Sequence, residues 1–368
     1  MLVIDEAKLP PPMPARQAIS SSVPNVMPGL SRNAAAAVGI SSASALTIVQ
    51  LRPPNRATAK VYGNRIPAPS AVGNVVSMNF CAAASEATLR TVGIPVERLD
   101  PTEVGARWPQ MRSDDLAFAI FEPDAGVLMA RRGVAAVART FEEEGGGFAL
   151  GWAEPGAIDG RRLLEVTLGD GRRHAAAEFV FAAGPWLLTM FPEVMKNKLM
   201  VAKRGYYMVG TPPGDNRFSY PNLPNTGIGV PSVDGLGLAV LMGTGNKPVD
   251  PDTHDRVPTA EDKAAIKQIL MSRFPALKDQ PILNAHVCQS DNTVDGNFII
   301  DRHPGLDNVW LVGGGSYHGF KMGPVAGDYT AQRVVGRDRN PELAATFKIK
   351  TETFVEGSPS PRALDLVE

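Results

Sequence analysis

The run Val309-Trp310-Leu311-Val312-Gly313-Gly314-Gly315-Ser316-Tyr317-His318-Gly319-Phe320-Lys321-Met322-Gly323-Pro324 constrains this chain more than any other stretch. Four apolar residues specify a short buried strand and three consecutive glycines allow a sharp turn with close backbone approach. From Gly323 the pattern resumes as a helix, with Ala326, Tyr329, Ala331 and Val334 along it. The segment therefore reads as strand, glycine turn and helix N-terminus. Amides at such a terminus carry the positive end of the helix dipole, so the turn suits a phosphate, a carboxylate or a carbonyl-edged ring. Glycine clusters also punctuate ordinary strand-to-helix connections, and that plainer reading stands beside the first.

A chain of 368 residues can bury a sizeable core and is expected to form about two domains. Lys and Arg number 37 against 38 Asp and Glu, a net charge of −1 with no long basic run. Nucleic acid and anionic membrane are thus not expected partners, and a small molecule is. The two cysteines, Cys81 and Cys288, provide neither a disulfide framework nor zinc-ligand spacing. No metal is expected, and the cytoplasm, a reducing compartment, is the expected location. The longest apolar stretch, 178–191, is interrupted by Gly184-Pro185 and falls short of the about 20 residues a spanning helix needs. Met1 to Pro14, with Asp5, Glu6 and a proline cluster, does not read as a secretory signal.

Residues 1–79 are rich in Ala, Ser, Pro and Val without a sustained amphipathic period, and read as an irregular leader with one candidate strand at Ala45–Val49. From Ser85 a helix runs to Arg90 and ends at Gly93, a strand covers Pro95–Leu99, and Asp100 or Thr102 caps a short helix. Arg131–Glu144 places Val134, Val137, Ala138 and Phe141 at helical spacing before Gly145-Gly146-Gly147, as a crossover helix would. A hairpin is expected from Leu163 to Ala177 through Gly169-Asp170-Gly171. Phe179–Ala183 is apolar throughout, as a parallel strand covered on both faces would be. Lys203–Val209, Gly229–Val230 and Leu238–Met242 suggest an antiparallel sheet. Ala260–Phe274 reads as a helix capped by Thr259 with Ile266, Ile269, Leu270 and Phe274 on one face, and 342–368 as a loose tail.

The segment from Cys288 to Pro304, Cys-Gln-Ser-Asp-Asn-Thr-Val-Asp-Gly-Asn-Phe-Ile-Ile-Asp-Arg-His-Pro, precedes the glycine turn and the word His318-Gly319-Phe320-Lys321. Phe121-Glu122-Pro123-Asp124-Ala125-Gly126 and Phe179-Val180-Phe181-Ala182-Ala183-Gly184-Pro185-Trp186 stand upstream. This ordered series resembles the D-amino-acid-oxidase superfamily, with the nearest likeness to its monomeric sarcosine oxidase and N-methyltryptophan oxidase branch. The resemblance covers Ser85 to Arg337; the order is more specific than any one word.

The resemblance implies an α/β fold: a glutathione-reductase-like FAD-binding domain, discontinuous over the N-terminal part, 131–192 and 282–337, with a mostly antiparallel α+β substrate domain over 85–130 and 194–281. It implies an FAD-dependent oxidoreductase that moves a hydride from an amine or amino-acid carbon to flavin N5. Ala183, Gly184, Trp186, Gly313, Gly314, Gly315, Ser316, Gly319, Phe320, Lys321 and Met322 would line the FAD site. Lys321, as a buried ammonium paired with the substrate carboxylate, and His318, on the flavin face, would be the catalytic residues. The plainer alternatives are a solvated lysine and a histidine bonded within its own turn. Cys288 either corresponds to the cysteine that carries covalent FAD in this branch or is a small buried hydrophobe. Tyr317 stands where close relatives have glycine, and its bulk would narrow access to the ring.

Two departures bear on function. Gapless alignment of Gly235–Leu238 and Asp250–Thr253 puts Ala239 where the branch has an oxygen-activating lysine, so slow oxygen use is expected. No G-x-G-x-x-G occurs in the chain, which leaves the FAD diphosphate without its usual grip. A catalytically silent remnant or binding module is therefore the competing reading. The leader itself reads as the family's N-terminus out of frame, because a one-base shift lets the codons of Ser70–Asn74 encode a Ser-Gly-Gly-Glu type of sequence.

Overall fold

The computed structural model describes residues 83, 85–122, 128–212 and 236–354, with the strands Leu2–Ile4, Lys60–Tyr62, Tyr220–Leu223 and Gly227–Val230. The rest of the leader, with the candidate strand at Ala45–Val49 and Cys81, lies outside the described residues, as do Pro123–Gly126 and 355–368. Two compact units divide the chain. The first comprises Met1–Ile48, Ala130–Met200 and Asp291–Glu356; the second comprises Val49–Met129, Val201–Ser290 and Gly357–Glu368.

In the first unit a sheet runs in the order Leu2–Ile4, Glu178–Phe181, Val309–Gly313, Ile299–Arg302. Its central pair is parallel, with Phe179 opposite Val309 and Phe181 opposite Leu311, and both outer pairs are antiparallel. The described sheet is thus mixed, although the central strands are apolar on both faces as parallel strands require. Phe179, Phe181, Val309 and Leu311 are buried with Leu187, Phe191, Met195 and Ile299. Asn308, 0% exposed, fixes the start of the third strand: Nδ2 donates to the carbonyls of Leu163 at 2.8 Å and Ala177 at 3.1 Å, and Oδ1 accepts from Leu163 N–H at 2.9 Å. The expected hairpin pairs Glu165–Leu168 with Arg173–Ala175. The crossover helix forms at Ala130–Glu143, but Val137 on its expected apolar face is exposed.

Two expectations for this unit change. The helix after the glycine turn is Gly319–Val334 and starts ahead of Gly323, with Pro324 inside it. The expected loose tail is packed as far as Phe354. Asn340 caps the helix Pro341–Thr346 by accepting from Leu343 N–H at 3.0 Å, and the Phe347 carbonyl accepts from Ile300 N–H at 2.8 Å. Ile349 N–H donates to Asp301 Oδ2 at 3.0 Å, and the Phe347 ring lies edge-on to Phe298 and Tyr329. Backbone hydrogen bonding of this kind needs no apolar run, so the polar composition of the segment concealed it.

In the second unit a six-stranded sheet has the order Ile282–Thr293, Leu199–Val209, Leu238–Pro248, Gly227–Val230, Tyr220–Leu223, Lys60–Tyr62, and its last pair is parallel. Helix Ala260–Arg273 has the expected capping box, Thr259 accepting from Asp262 N–H while Asp262 accepts from Thr259 N–H. It buries Ile266, Leu270 and Phe274 against Tyr207, Val209, Leu238 and Val240. Asp100 likewise forms a capping box with Glu103 at the helix Pro101–Arg107. The unit boundaries correct the expected domains: 194–200 joins the first unit, and 282–290 joins the second. The reason is that Ile282–Thr293 hydrogen-bonds beside Leu199–Val209 and both strands run through the boundary. Among the described residues no helix is long and apolar enough to cross a membrane.

Candidate active site

Because Glu178–Phe181 and Val309–Gly313 are parallel neighbours, the turns that leave them lie at the same carboxyl end of the sheet. This brings the turn Gly184–Trp186, which Ala183 precedes, beside the strand that ends at Gly313, from which Gly314, Gly315, Ser316 and Gly319 lead on. A Cβ on Gly313 would stand 2.5 Å from Leu187 Cδ1 and 3.1 Å from Asp291 Oδ2, so a larger residue there would have to push the buried Leu187 side chain aside. Trp186 is half-buried and meets Trp152 edge-on at 6.3 Å.

The turn is held from behind by Asp291 and Thr293, at the end of the strand Ile282–Thr293. Asp291 Oδ2 accepts from Gly314 N–H at 2.6 Å, and the Asp291 carbonyl accepts from Ser316 N–H at 2.9 Å. Burial pushes the Asp291 carboxyl up to about 6, against the downward pull of the Gly314 and Gly315 amides. Thr293 N–H donates to Ser316 Oγ at 3.3 Å, and Ser316 Oγ donates to the Gly314 carbonyl at 3.1 Å. These bonds hold Gly314 at φ 71°, Ser316 at φ 45° and Tyr317 at φ 65°, all left-handed. For Tyr317 that conformation is strained. Tyr317→Gly should accordingly be more stable than Tyr317→Ala by about 1 kcal/mol, the reverse of their order at most positions, in paired urea unfolding curves.

The helix begins after His318 with no side-chain cap. His318 N–H donates to the Gly315 carbonyl at 2.6 Å, whereas the first-turn amides of Gly319 and Phe320 have no acceptor within a helix that starts here. A Cβ built on Gly319 would meet nothing within 4 Å, and the same holds for Gly184, at φ 54°. Donors and space together fit an electron-rich polar edge at this turn. Phe320 is half-buried, and Met322 is exposed. Lys321 is exposed too, which corrects the expectation of a buried ammonium. The early start of the helix turns Lys321 away from the face that buries Gly323, Gly327 and Thr330.

Cys288 belongs to the second unit, on the half-buried side of its strand opposite the inward Val287. Burial pushes its thiol up, and the Arg204 and Arg256 guanidinium groups pull it only partly back. Tyr206 and His286 stack nearby on the same sheet at 4.8 Å. Ala239, 3% exposed on the strand Leu238–Pro248, is a site where a lysine would have to bury its ammonium. Among the described residues no group of His, Cys, Asp or Glu is placed to hold a metal ion.

The sequence words contained Asp291 and Thr293 but gave neither a role, because their partners lie 23 residues downstream. The DAO family profile, described as FAD dependent oxidoreductase, matches residues 75–333. Monomeric sarcosine oxidase of Arthrobacter sp. is 27% identical over 268 residues, 70% of this chain and 68% of that protein. N-methyl-L-tryptophan oxidase of Salmonella arizonae is 28% identical over 243 residues, 64% of each, so this chain spans less than two thirds of that relative. Glycine oxidase from Geobacillus kaustophilus shares the fold, with a TM-score of 0.67 at 18% identity over 84% of this chain and 77% of that one. With its profile matched over more than half of the sequence, the chain belongs to the DAO family of FAD dependent oxidoreductases.

Proposed function

We propose that this chain oxidises a small amine or amino acid with FAD, the first unit serving as a glutathione-reductase-like FAD-binding domain and the second as the substrate domain. The observation that carries this reading is the family match over 75–333, which takes in the glycine turn and the uncapped helix behind it. Bound flavin would supply the redox chemistry, taking a hydride at N5 from the carbon next to the amine. The amides of Gly319 and Phe320 would hold the polar edge of the ring, with Gly184 and Gly319 leaving room for it. His318 would face the ring, and Lys321 would present a cation to a substrate carboxylate.

Adding FAD to the purified chain and removing the excess tests the reading. A yellow protein that bleaches anaerobically with an amine or amino acid is the expected result, and a colourless one overturns it in favour of a silent remnant. Binding should be weak for this family because the sequence has no G-x-G-x-x-G to receive the diphosphate.

Two side chains make separate predictions. Lys321→Met should weaken an acidic inhibitor by about fivefold with flavin content unchanged, the modest effect of an exposed cation in water. An unchanged inhibition constant removes Lys321 from the substrate site. Acid precipitation of the flavin-loaded protein tests Cys288: flavin that pellets with the wild type but not with Cys288→Ser marks covalent attachment, and flavin left entirely in solution returns Cys288 to a packing role.

A further inference from the structure

The family match ends at residue 333, yet the chain continues into the back of the glycine turn. Lys350, 5% exposed, places Nζ 2.8 Å from Asp295 Oδ2 and donates to the Thr346 carbonyl at 2.9 Å. Asp295 in turn accepts from Asn297 N–H at 3.0 Å through Oδ1, and from Asn297 Nδ2 at 3.3 Å through Oδ2. Between them Gly296 adopts φ 71°, and Thr293 Oγ1 donates to the Asn297 carbonyl at 2.7 Å, closing a tight loop. That loop is the wall on which the glycine turn rests. A Cβ on Gly314 would stand 2.5 Å from Thr293 Cγ2 and 3.3 Å from the Asn297 carbonyl, and Thr293 N–H holds Ser316 Oγ.

We propose that Lys350 is a positioning residue for the candidate cofactor site: its ion pair with Asp295 fixes the 293–297 loop, and the loop fixes the left-handed turn that aims the helix N-terminus. The Lys350 ammonium is buried and costly unless paired, and although the Asp295 side chain is 41% exposed it supplies the pairing carboxylate, so the pair ties the segment after 346 to the loop in one geometry. Burial pushes the Asp295 carboxyl up, but the bonds from Lys350 and Asn297 outweigh it and hold the group below its ordinary range. The positioning role rests on the proposed flavin reading only for its purpose, because the order of the turn is measurable without flavin.

The test compares wild type, Lys350→Met, Lys350→Arg, Asp295→Asn and the charge swap Asp295→Lys with Lys350→Asp. Native-state hydrogen exchange is read at the Gly314 and Ser316 amides, with Val240 in the other unit as reference, and FAD is titrated by its fluorescence. Lys350→Met and Asp295→Asn are expected to speed exchange at Gly314 and Ser316 about tenfold with Val240 unchanged. Lys350→Arg or the charge swap should recover most of the protection. Where FAD binds, its affinity should fall about tenfold in the same two variants and recover with the others. Unchanged exchange at Gly314 and Ser316 overturns the proposal, and so does equal acceleration at Val240, which marks general destabilisation. If FAD binds to no variant, the cofactor reading fails while the exchange result still decides the role of Lys350.

Discussion

Asp291→Ala should destabilise the first unit by about 2–4 kcal/mol, because it strips the acceptor from the Gly314 amide at 2.6 Å and leaves a buried donor unpaired. Urea unfolding followed by fluorescence measures this, and a loss below about 1 kcal/mol would show that water or a neighbour replaces the carboxylate. The same side chain imposes a pH dependence. Its folded carboxyl is raised to about 6 from an ordinary value of 3.8, so the folded state binds the proton more tightly than the unfolded chain. The resulting stability is fully present below the unfolded value and is lost as pH rises through about 6. Between pH 7 and pH 5 the wild type should therefore gain about 1 kcal/mol relative to Asp291→Asn, which cannot titrate there. A parallel course of the two proteins over that range would show that the amide bonds cancel the effect of burial.

Gly314→Ala should cost a similar amount for two reasons that can be separated. Alanine at φ 71° pays about 1–2 kcal/mol for the left-handed conformation, and its Cβ at 2.5 Å from Thr293 Cγ2 adds about 1–3 kcal/mol of overpacking. Thr293→Ser removes the obstructing methyl but keeps the hydroxyl that bonds to the Asn297 carbonyl. The double variant should recover the packing part alone, and a double-mutant cycle reads it as a coupling of about 1 kcal/mol or more. Additive losses would mean that the loop yields to the new methyl, leaving only the backbone strain.

What was legible in the sequence was local. The cap at Thr259 and the apolar strand at Phe179 are each set by residues within a few positions of one another and form where expected, and of the two candidate caps Asp100 and Thr102 it is Asp100 that caps. The glycine turn was legible for the same reason. The carboxylate that supports it was not, since the Asp291 contact with Gly314 joins two distant strand ends and has no periodic signature. The unit boundary was hidden because a single unbroken strand passes from one unit into the next, as Ile282–Thr293 does. The exposure of Lys321 followed from a helix that starts at Gly319, a boundary that glycine-rich sequence leaves undefined.

The bond from Ile300 N–H to the Phe347 carbonyl has a consequence for how the chain can be shortened. Among the described residues Ile299–Arg302 is an edge strand of its sheet, and the 347–349 segment covers its outer side through that bond and the bond from Ile349 N–H to the Asp301 carboxylate. A polypeptide cut at Arg337, just beyond the end of the family match at residue 333, would keep the glycine turn but bare that flank. Unpaired amides and carbonyls on a flank of this kind are a template for strand addition, so such a fragment should associate with itself through the flank that the longer chain keeps covered.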